Sequence, residues 1–290
     1  MLGNGGVLQK LRKSSISVTD IANQFWCERQ MEYNYLYGRK YTKYMERGKQ
    51  LHEMLQNEVY VPLTIEPVTY ADVMYKISYE NYGSLLSLVQ KGVCRELSVH
   101  GSVNGYKISG KIDEMRVEAG RSVVVERKTT DAKRQLSEAY TRPHRVQVML
   151  YRKMLGDIKS GAYGHPNFVK SYGISHDGIS DTFKRELRAM GVKEELLDAY
   201  SISGLVFDMF RKIPELSDKL EIIYMDRFSG KEISSIKIDY DASMMQGMLM
   251  QAMGFWRGER HAEPVPETEK WKCNFCKFFG NECKAWWKGE

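Results

Sequence analysis

The stretch SVHGSVNGYKISGKIDEM at residues 98–115, followed by VVVERK at 123–128, decides how this chain reads. Apolar residues alternate around Val99, Val103, Ile108 and Ile112, with glycines placed where tight turns would join two strands. The run 122–125 is short, apolar and β-branched, as expected of a buried strand. On this pattern Asp113 ends one strand, and Glu126 and Lys128 leave the next on the same side. Two carboxylates and an ammonium converging at strand ends can hold a divalent metal and a phosphate together. Oxygen ligands suit Mg²⁺ or Mn²⁺. The same three charges also suit ordinary turns and edges, but solvation alone explains poorly why they directly follow a buried strand.

Cysteine placement is the second signal. The five are Cys27, Cys94, Cys273, Cys276 and Cys283. An odd count with C-x2-C spacing argues against a secreted disulfide framework. The tail triplet, C-x2-C-x6-C, lacks a fourth ligand nearby, and Cys27 is the best candidate for it. Cys94 lies in an apolar-flanked segment and reads as a buried structural thiol. Four thiolates bind either zinc or an iron–sulfur cluster, and spacing leaves both open. Trp26, Trp271, Phe275, Phe278, Phe279, Trp286 and Trp287 would shield such a group from water. In either case the site would tie the two chain ends together.

With 290 residues the chain is long enough for one large domain or two, and 42% hydrophobic residues suffice for a core. A net charge of +6 is compatible with a nucleic-acid partner. No apolar run approaches membrane-spanning length, so no membrane partner is expected. Residues 1–14 carry Lys10, Arg12 and Lys13 and no acids. That is too short and too polar for a secretory signal, while a mitochondrial transit peptide stays open. Nothing demands an oligomer, so a monomer is expected.

Along the chain, Ser17 to Asp20 fits a helix start, and that helix would carry Cys27. Further helices are expected at 44–60, carrying His52, at 79–93, and at 142–155, where Gln147 and Tyr151 share a face. Strands are expected between 96 and 127. A loop at 173–180 precedes helices at 181–190 and 193–212. A hairpin at 220–238 and a Met-rich helix at 242–257 follow. Pro264 and Pro266 mark a linker into the cysteine tail. The expected organisation is a single domain over 1–290, with an entry and core at 17–155, a helical and hairpin completion at 156–265, and the tail at 266–290.

Several motifs now agree. His52 in Arg-Gly-x-x-Leu-His, Asp113 in Gly-x-Ile-Asp-Glu, Glu126-x-Lys128 and Gln147-x-x-x-Tyr151 resemble the RecB-type branch of the PD-(D/E)XK nucleases. Adding Cys27 and the tail triplet matches its iron–sulfur members. Among these the chain is most similar to the exonuclease V family. That likeness rests on Ser17 to Asp20 before Trp26-Cys27-Glu28, on Arg95-Glu96-Leu97, and on Arg142-Pro143 before Arg145-Val146-Gln147. It covers residues 17–155 and 271–286.

The resemblance implies an α/β fold, with a restriction-endonuclease-like core of central mixed sheet flanked by helices and an iron–sulfur clasp joining the chain ends. It implies an exodeoxyribonuclease that hydrolyses single-stranded DNA from a free end, in DNA repair or replication. His52, Asp113 and Glu126 would bind Mg²⁺ or Mn²⁺. Lys128, Gln147 and Tyr151 would complete the catalytic set, and Cys27, Cys273, Cys276 and Cys283 would hold a [4Fe-4S] cluster. Glu96 is a weaker candidate, better read as a strand-entry charge or outer acid. Arg127, Arg134, Arg142 and Arg145 are candidate DNA contacts, with Lys111, Lys133 and Arg152 nearby, and Tyr140, Tyr33, Tyr35 and Tyr37 could stack bases. A single-strand-binding protein is an optional partner. The expected location is an intracellular, reducing compartment: nucleus or mitochondrion in a eukaryote, cytoplasm in a prokaryote. Two alternatives stand beside this reading. One is a CRISPR-associated RecB-like nuclease that processes DNA for spacer acquisition. The other is a non-catalytic, zinc-containing nucleic-acid-binding protein.

Overall fold

The computed structural model describes residues 6–39, 42–59, 62–132 and 135–286. Lys133, Arg134, Trp287 and the expected helix end at Tyr60 lie outside the described residues. The helices are α1 (Gly6–Lys10), α2 (Val18–Leu36), α3 (Lys43–Asn57), α4 (Tyr70–Lys91), α5 (Glu138–Lys159), α6 (His165–Tyr172), α7 (Asp181–Ala189), α8 (Ala199–Lys212) and α9 (Ala242–Trp256). The strands are β1 (Ile16–Ser17), β2 (Val93–Val103), β3 (Tyr106–Glu118), β4 (Arg121–Thr130), β5 (Lys219–Asp226) and β6 (Glu232–Asp239).

They form one mixed sheet centred on β3. β2 runs antiparallel along one edge of β3. The other edge is divided. β1 lies parallel beside Ile108 and Ser109, and β4 lies antiparallel beside Glu114 to Glu118. β5 is parallel to β4, and β6 closes the sheet antiparallel to β5. Asn104-Gly105 and Ala119-Gly120 join β2, β3 and β4, each pair with positive φ (49° and 80°; 47° and 75°). Two left-handed residues in a row match the twist of antiparallel strands, and glycine takes the second position at no steric cost.

The front face carries the main core, which joins Val124 of β4 to Leu85 of α4, Tyr151 of α5, Phe207 of α8 and Trp256 of α9. The back face holds a smaller cluster, Val123, Val125, Ile223 and Met225, against Leu51 of α3. The 123–125 run is therefore buried on both sides, as its β-branched composition predicts.

Strand alternation breaks in the middle of β2 and β3. Cys94 and Leu97 both face the core, as do Ile112 and Met115, although residues three apart on a regular strand point opposite ways. The ladder steps from Arg95↔Glu114 to Leu97↔Ile112 without pairing Glu96 and Asp113, and Glu96 takes φ 52°. Past this slip Arg95, Glu114 and Arg116 turn to the back, where Glu114 binds all three of Arg95 (2.7 Å), Arg116 (3.2 Å) and Arg127 (2.9 Å). Asp113 consequently does not end a strand. β3 continues to Glu118, and Glu126 and Lys128 lie inside β4.

Other boundaries also moved. The helix expected at 79 begins at Tyr70, where Thr69 and Asp72 form a reciprocal cap, and it stops at Lys91 because Gly92 (φ 77°) turns the chain into β2. The helix expected at 193–212 is a 3₁₀ turn at Glu194–Leu196 followed by α8, which restarts on the Asp198 cap. No expectation covered α6. The start at Ser17 is as read: Ser17 Oγ accepts from Asp20 N at 3.0 Å, and Asp20 Oδ2 accepts from Ser17 N at 2.8 Å.

The outer edge of β2 is covered by polar side chains of α4. Asn81 acts as a one-residue substitute strand: Oδ1 accepts from Ser98 N at 2.9 Å, and Nδ2 donates to Ser98 O at 2.8 Å. Ser87 and Ser84 donate to Val93 O (2.9 Å) and Arg95 O (3.4 Å). Such cover blunts an edge that would otherwise pair with another chain. Asn81→Ala should cost about 2–3 kcal/mol in urea unfolding, since two backbone groups lose their partners together, whereas Ser84→Ala should cost about 1 kcal/mol or less.

Candidate active site

The divided edge of β3 opens a gap. Pairing between β3 and β4 stops at Glu114↔Val125. One step further the Asp113 carboxylate takes the Arg127 backbone N–H (2.7 Å), a donor that a continuous ladder would have used. On the β1 side, Gly110 admits α5. A Cβ there would lie 2.7 Å from Tyr151 Cε1 and 2.8 Å from Val18 Cγ2. Its absence lets Tyr151 lie across the strand and donate its hydroxyl to Lys111 O at 2.8 Å.

Four acidic and imidazole side chains meet in this gap. His52, from α3, places Nδ1 2.9 Å from Glu96 Oε1 and 3.6 Å from Asp113 Oδ1. One ligand atom from each of these three residues lies within 4.8 Å of the others. Glu126 adjoins Asp113 from β4, with 1% of its surface exposed. Both its oxygens are buried without a well-formed hydrogen bond, and Lys128 Nζ at 2.5 Å is their compensating charge. Lys128 is steered in turn. Its ammonium donates to Gln147 Oε1 at 3.0 Å, and Gln147 Nε2 approaches the Tyr151 hydroxyl at 3.4 Å.

The electrostatics follow from this crowding. Burial, and then the Asp113 charge, push the Glu126 carboxyl well above the usual carboxylate range against the pull of Lys128. Burial works to lower the His52 pKa, but the hydrogen bond to Glu96 and the Asp113 charge outweigh it and raise the pKa. Lys128 is likewise raised: its own burial is overcome by Glu126 and Asp113. A set of carboxylate oxygens with one imidazole, including a buried carboxylate short of donors, fits a hard divalent cation.

The cysteines gather elsewhere. α2 breaks at Cys27 (φ −164°, ψ 110°), and the thiol accepts from Gln30 N at 3.4 Å, capping the second half of the helix. Cys27, Cys273, Cys276 and Cys283 line one small pocket, walled by Trp26, Tyr33, Phe278 and Phe279. Burial raises the Cys27 and Cys273 thiols, and the neighbouring cysteines add to it. Protein contacts also hold the tail to α2. The buried Glu28 carboxylate binds Arg260 Nη2 (2.9 Å), Glu263 N (2.9 Å) and Gln24 Nε2 (2.5 Å), and Lys272 Nζ donates to Trp26 O (3.1 Å). Cys94 stands apart in the main core, its thiol pushed up by burial to about 12.

The basic candidates divide. Arg127 turns to the back face and is engaged by Glu114, so it is not brought into the gap. Arg142 binds Glu269 of the tail at 2.8 Å, and Arg152 binds Ser217 O and Asp218 at the start of β5. Arg145 lies 3.4 Å from Glu138, and Lys111 is half exposed, 3.6 Å from Glu96. Arg134 and Lys133 lie outside the described residues. Tyr140 packs edge-on to Trp26, Tyr33 and Tyr37 pack on Phe278, and the Tyr35 hydroxyl binds Asp20. Glu96, ranked low in the sequence, sits inside the cluster. Periodicity could not reveal this, because its placement depends on the left-handed slip.

Glu126 and His52 both hold protons more tightly in the folded chain than when unfolded. Each therefore contributes stability that is fully present below its unfolded pKa and is lost as pH rises through the folded value. In EDTA, thermal stability should fall as pH rises from the ordinary carboxylate range toward mild alkalinity. Glu126→Gln should flatten that dependence, as melting curves across pH would register.

Comparison with known proteins adds to this geometry. The family model described as "Exonuclease V - a 5' deoxyribonuclease" matches residues 7–124, 118–203 and 201–288. Exonuclease V of Danio rerio is 26% identical over 284 residues, 93% of this chain and 70% of that protein. Among solved structures, SSO0001 aligns over 94% of this chain and 91% of its own, at 15% identity and TM-score 0.38. A structure from Eubacterium rectale aligns over 89% and 87%, at 10% identity and TM-score 0.37. Both scores lie below 0.5, so the fold stands on its own sheet order. With the family model spanning nearly all of the described chain and a site of carboxylates, lysine and histidine at its centre, the protein belongs to the exonuclease V family of DNA-cleaving enzymes.

Proposed function

We propose that the chain is a metal-dependent exonuclease that degrades single-stranded DNA from a 5′ end, on a core of the PD-(D/E)XK type. The direction follows the family's description as a 5′ deoxyribonuclease. The observation that carries the reading is the convergence of Asp113, Glu126 and Lys128 at the gap between β1 and β4. His52, Asp113 and Glu126 hold Mg²⁺ or Mn²⁺, which when bound supplies an activated water and neutralises charge developing on the phosphate. Lys128 presents its ammonium to the scissile phosphate. Gln147 fixes that ammonium, and Tyr151, itself anchored on Lys111 O, fixes Gln147.

In the same reading Cys27, Cys273, Cys276 and Cys283 hold a [4Fe-4S] cluster. Four thiols lining one pocket with aromatic walls would ligate such a group and shield it from water. The protein acts as a monomer in DNA repair or replication, in a compartment reducing enough to keep its thiols free.

The substrate claim is tested with linear and circular single strands of the same sequence. The linear form should disappear in Mg²⁺, the circular form should survive, and blunt duplex should be cut slowly. Asp113→Ala and Glu126→Ala should each lower turnover by about 10³-fold or more while binding persists, because ligand loss leaves the rest of the cleft intact. Equal rates on circular and linear strands would remove the exonuclease reading and leave an endonuclease.

The cluster is tested by iron content and colour. Cys27→Ala should lose iron and broad visible absorption as fully as Cys276→Ala, whereas Cys94→Ala should keep both. A colourless wild-type protein containing one zinc would replace the cluster with a structural zinc site.

A further inference from the structure

Glu96 is the one side chain of the cluster held in place by a backbone that β-pairing disfavours. A left-handed conformation costs a non-glycine residue roughly 1–2 kcal/mol, and here it also interrupts the β2–β3 ladder opposite Asp113. No turn requires it: β2 enters and leaves Glu96 as a strand. The slip makes Arg95 and Glu96 both face away from the main core, Arg95 toward Glu114 on the back and Glu96 toward His52.

The spacing of the three ligand-capable atoms would also suit a coordination sphere. Around an octahedral cation with bonds of about 2.1 Å, adjacent ligand atoms lie about 3 Å apart and opposite ones about 4 Å. His52 Nδ1 stands 2.9 Å from Glu96 and 3.6 Å from Asp113, so one nitrogen faces both carboxylates. Beside Asp113, Glu126 offers two buried oxygens short of donors. Lys111 also approaches Glu96, at 3.6 Å, and it is half exposed. We propose that Glu96 is a direct ligand of the divalent cation, making the centre a four-residue set with His52, Asp113 and Glu126. The proposal rests on the metal-dependent reading above.

The competing role is that of a positioning residue, in which Glu96 only accepts the His52 N–H and orients the ring. Glutamine separates the two, since it keeps an acceptor oxygen and loses the charge that a metal ligand supplies. Mn²⁺ binding is measured by calorimetry on the full-length, cluster-containing protein, without DNA. For a ligand, Glu96→Gln and Glu96→Ala should both weaken Mn²⁺ binding by about 10–100-fold. Glu96→Gly should weaken it equally while raising the melting temperature in EDTA, because it relieves the left-handed backbone. That gain guards against misfolding as the cause of lost binding. Wild-type Mn²⁺ affinity in Glu96→Gln, with loss only in Glu96→Ala, would overturn the ligand assignment and leave the metal centre standing. Unchanged binding in Asp113→Asn and Glu126→Gln as well would sink the metal centre and Glu96 with it.

Discussion

A strand edge can be hydrogen-bonded by one neighbour at a time, and β3 divides its edge between β1 and β4. The rest of the site depends on that division. Between the two partners lies a short length of β3 whose polar groups need other company. Tyr151 answers one of them by binding Lys111 O, and Asp113 answers the orphaned N–H of Arg127. The groups that satisfy the sheet edge are thus also those that border the cluster of His52, Glu96, Asp113 and Glu126. Glu126 and Lys128 enter from β4 two residues apart, which places both on the front face without further device.

This arrangement explains what could be read from the residues and what could not. The capped start at Ser17, the hairpin of β5 and β6 and the buried 123–125 run are local: their turns, caps and periods lie within a few residues. The slip at Glu96 and Asp113 is not local. It needs two strands to lose register at the same level, and each alone reads as ordinary alternation, which is why Asp113 looked like a strand end and Glu96 like an entry charge. Arg127 misleads for a related reason. It looks like a cation flanking the Glu126-x-Lys128 pair, but its partner Glu114 comes from the neighbouring strand and faces the back. The break at Cys27 was equally invisible, because the helical pattern runs through it and only the thiol's placement toward the tail requires it.

Motif spacing placed His52, Asp113, Glu126, Lys128, Gln147 and Tyr151 in one list, and the fold brings them into one gap. It could not supply the order of support among them. Tyr151 holds Gln147, Gln147 holds Lys128, and Gly110 makes room for Tyr151. A glycine with no side chain of its own therefore limits where the lysine can stand.

The joining of the tail to α2 also sets a schedule for synthesis. Glu28 finds Arg260 only after 232 further residues have been added, about 10–50 s of translation at ordinary rates. Until then the Glu28 carboxylate has only Gln24 as a partner, and the helix broken at Cys27 lacks its tail. β2, β3 and β4 can meanwhile pair through their two-residue turns. The nascent chain can therefore assemble the strands that carry Glu96, Asp113, Glu126 and Lys128 early, while closure onto α2 waits for the segment that carries Arg260.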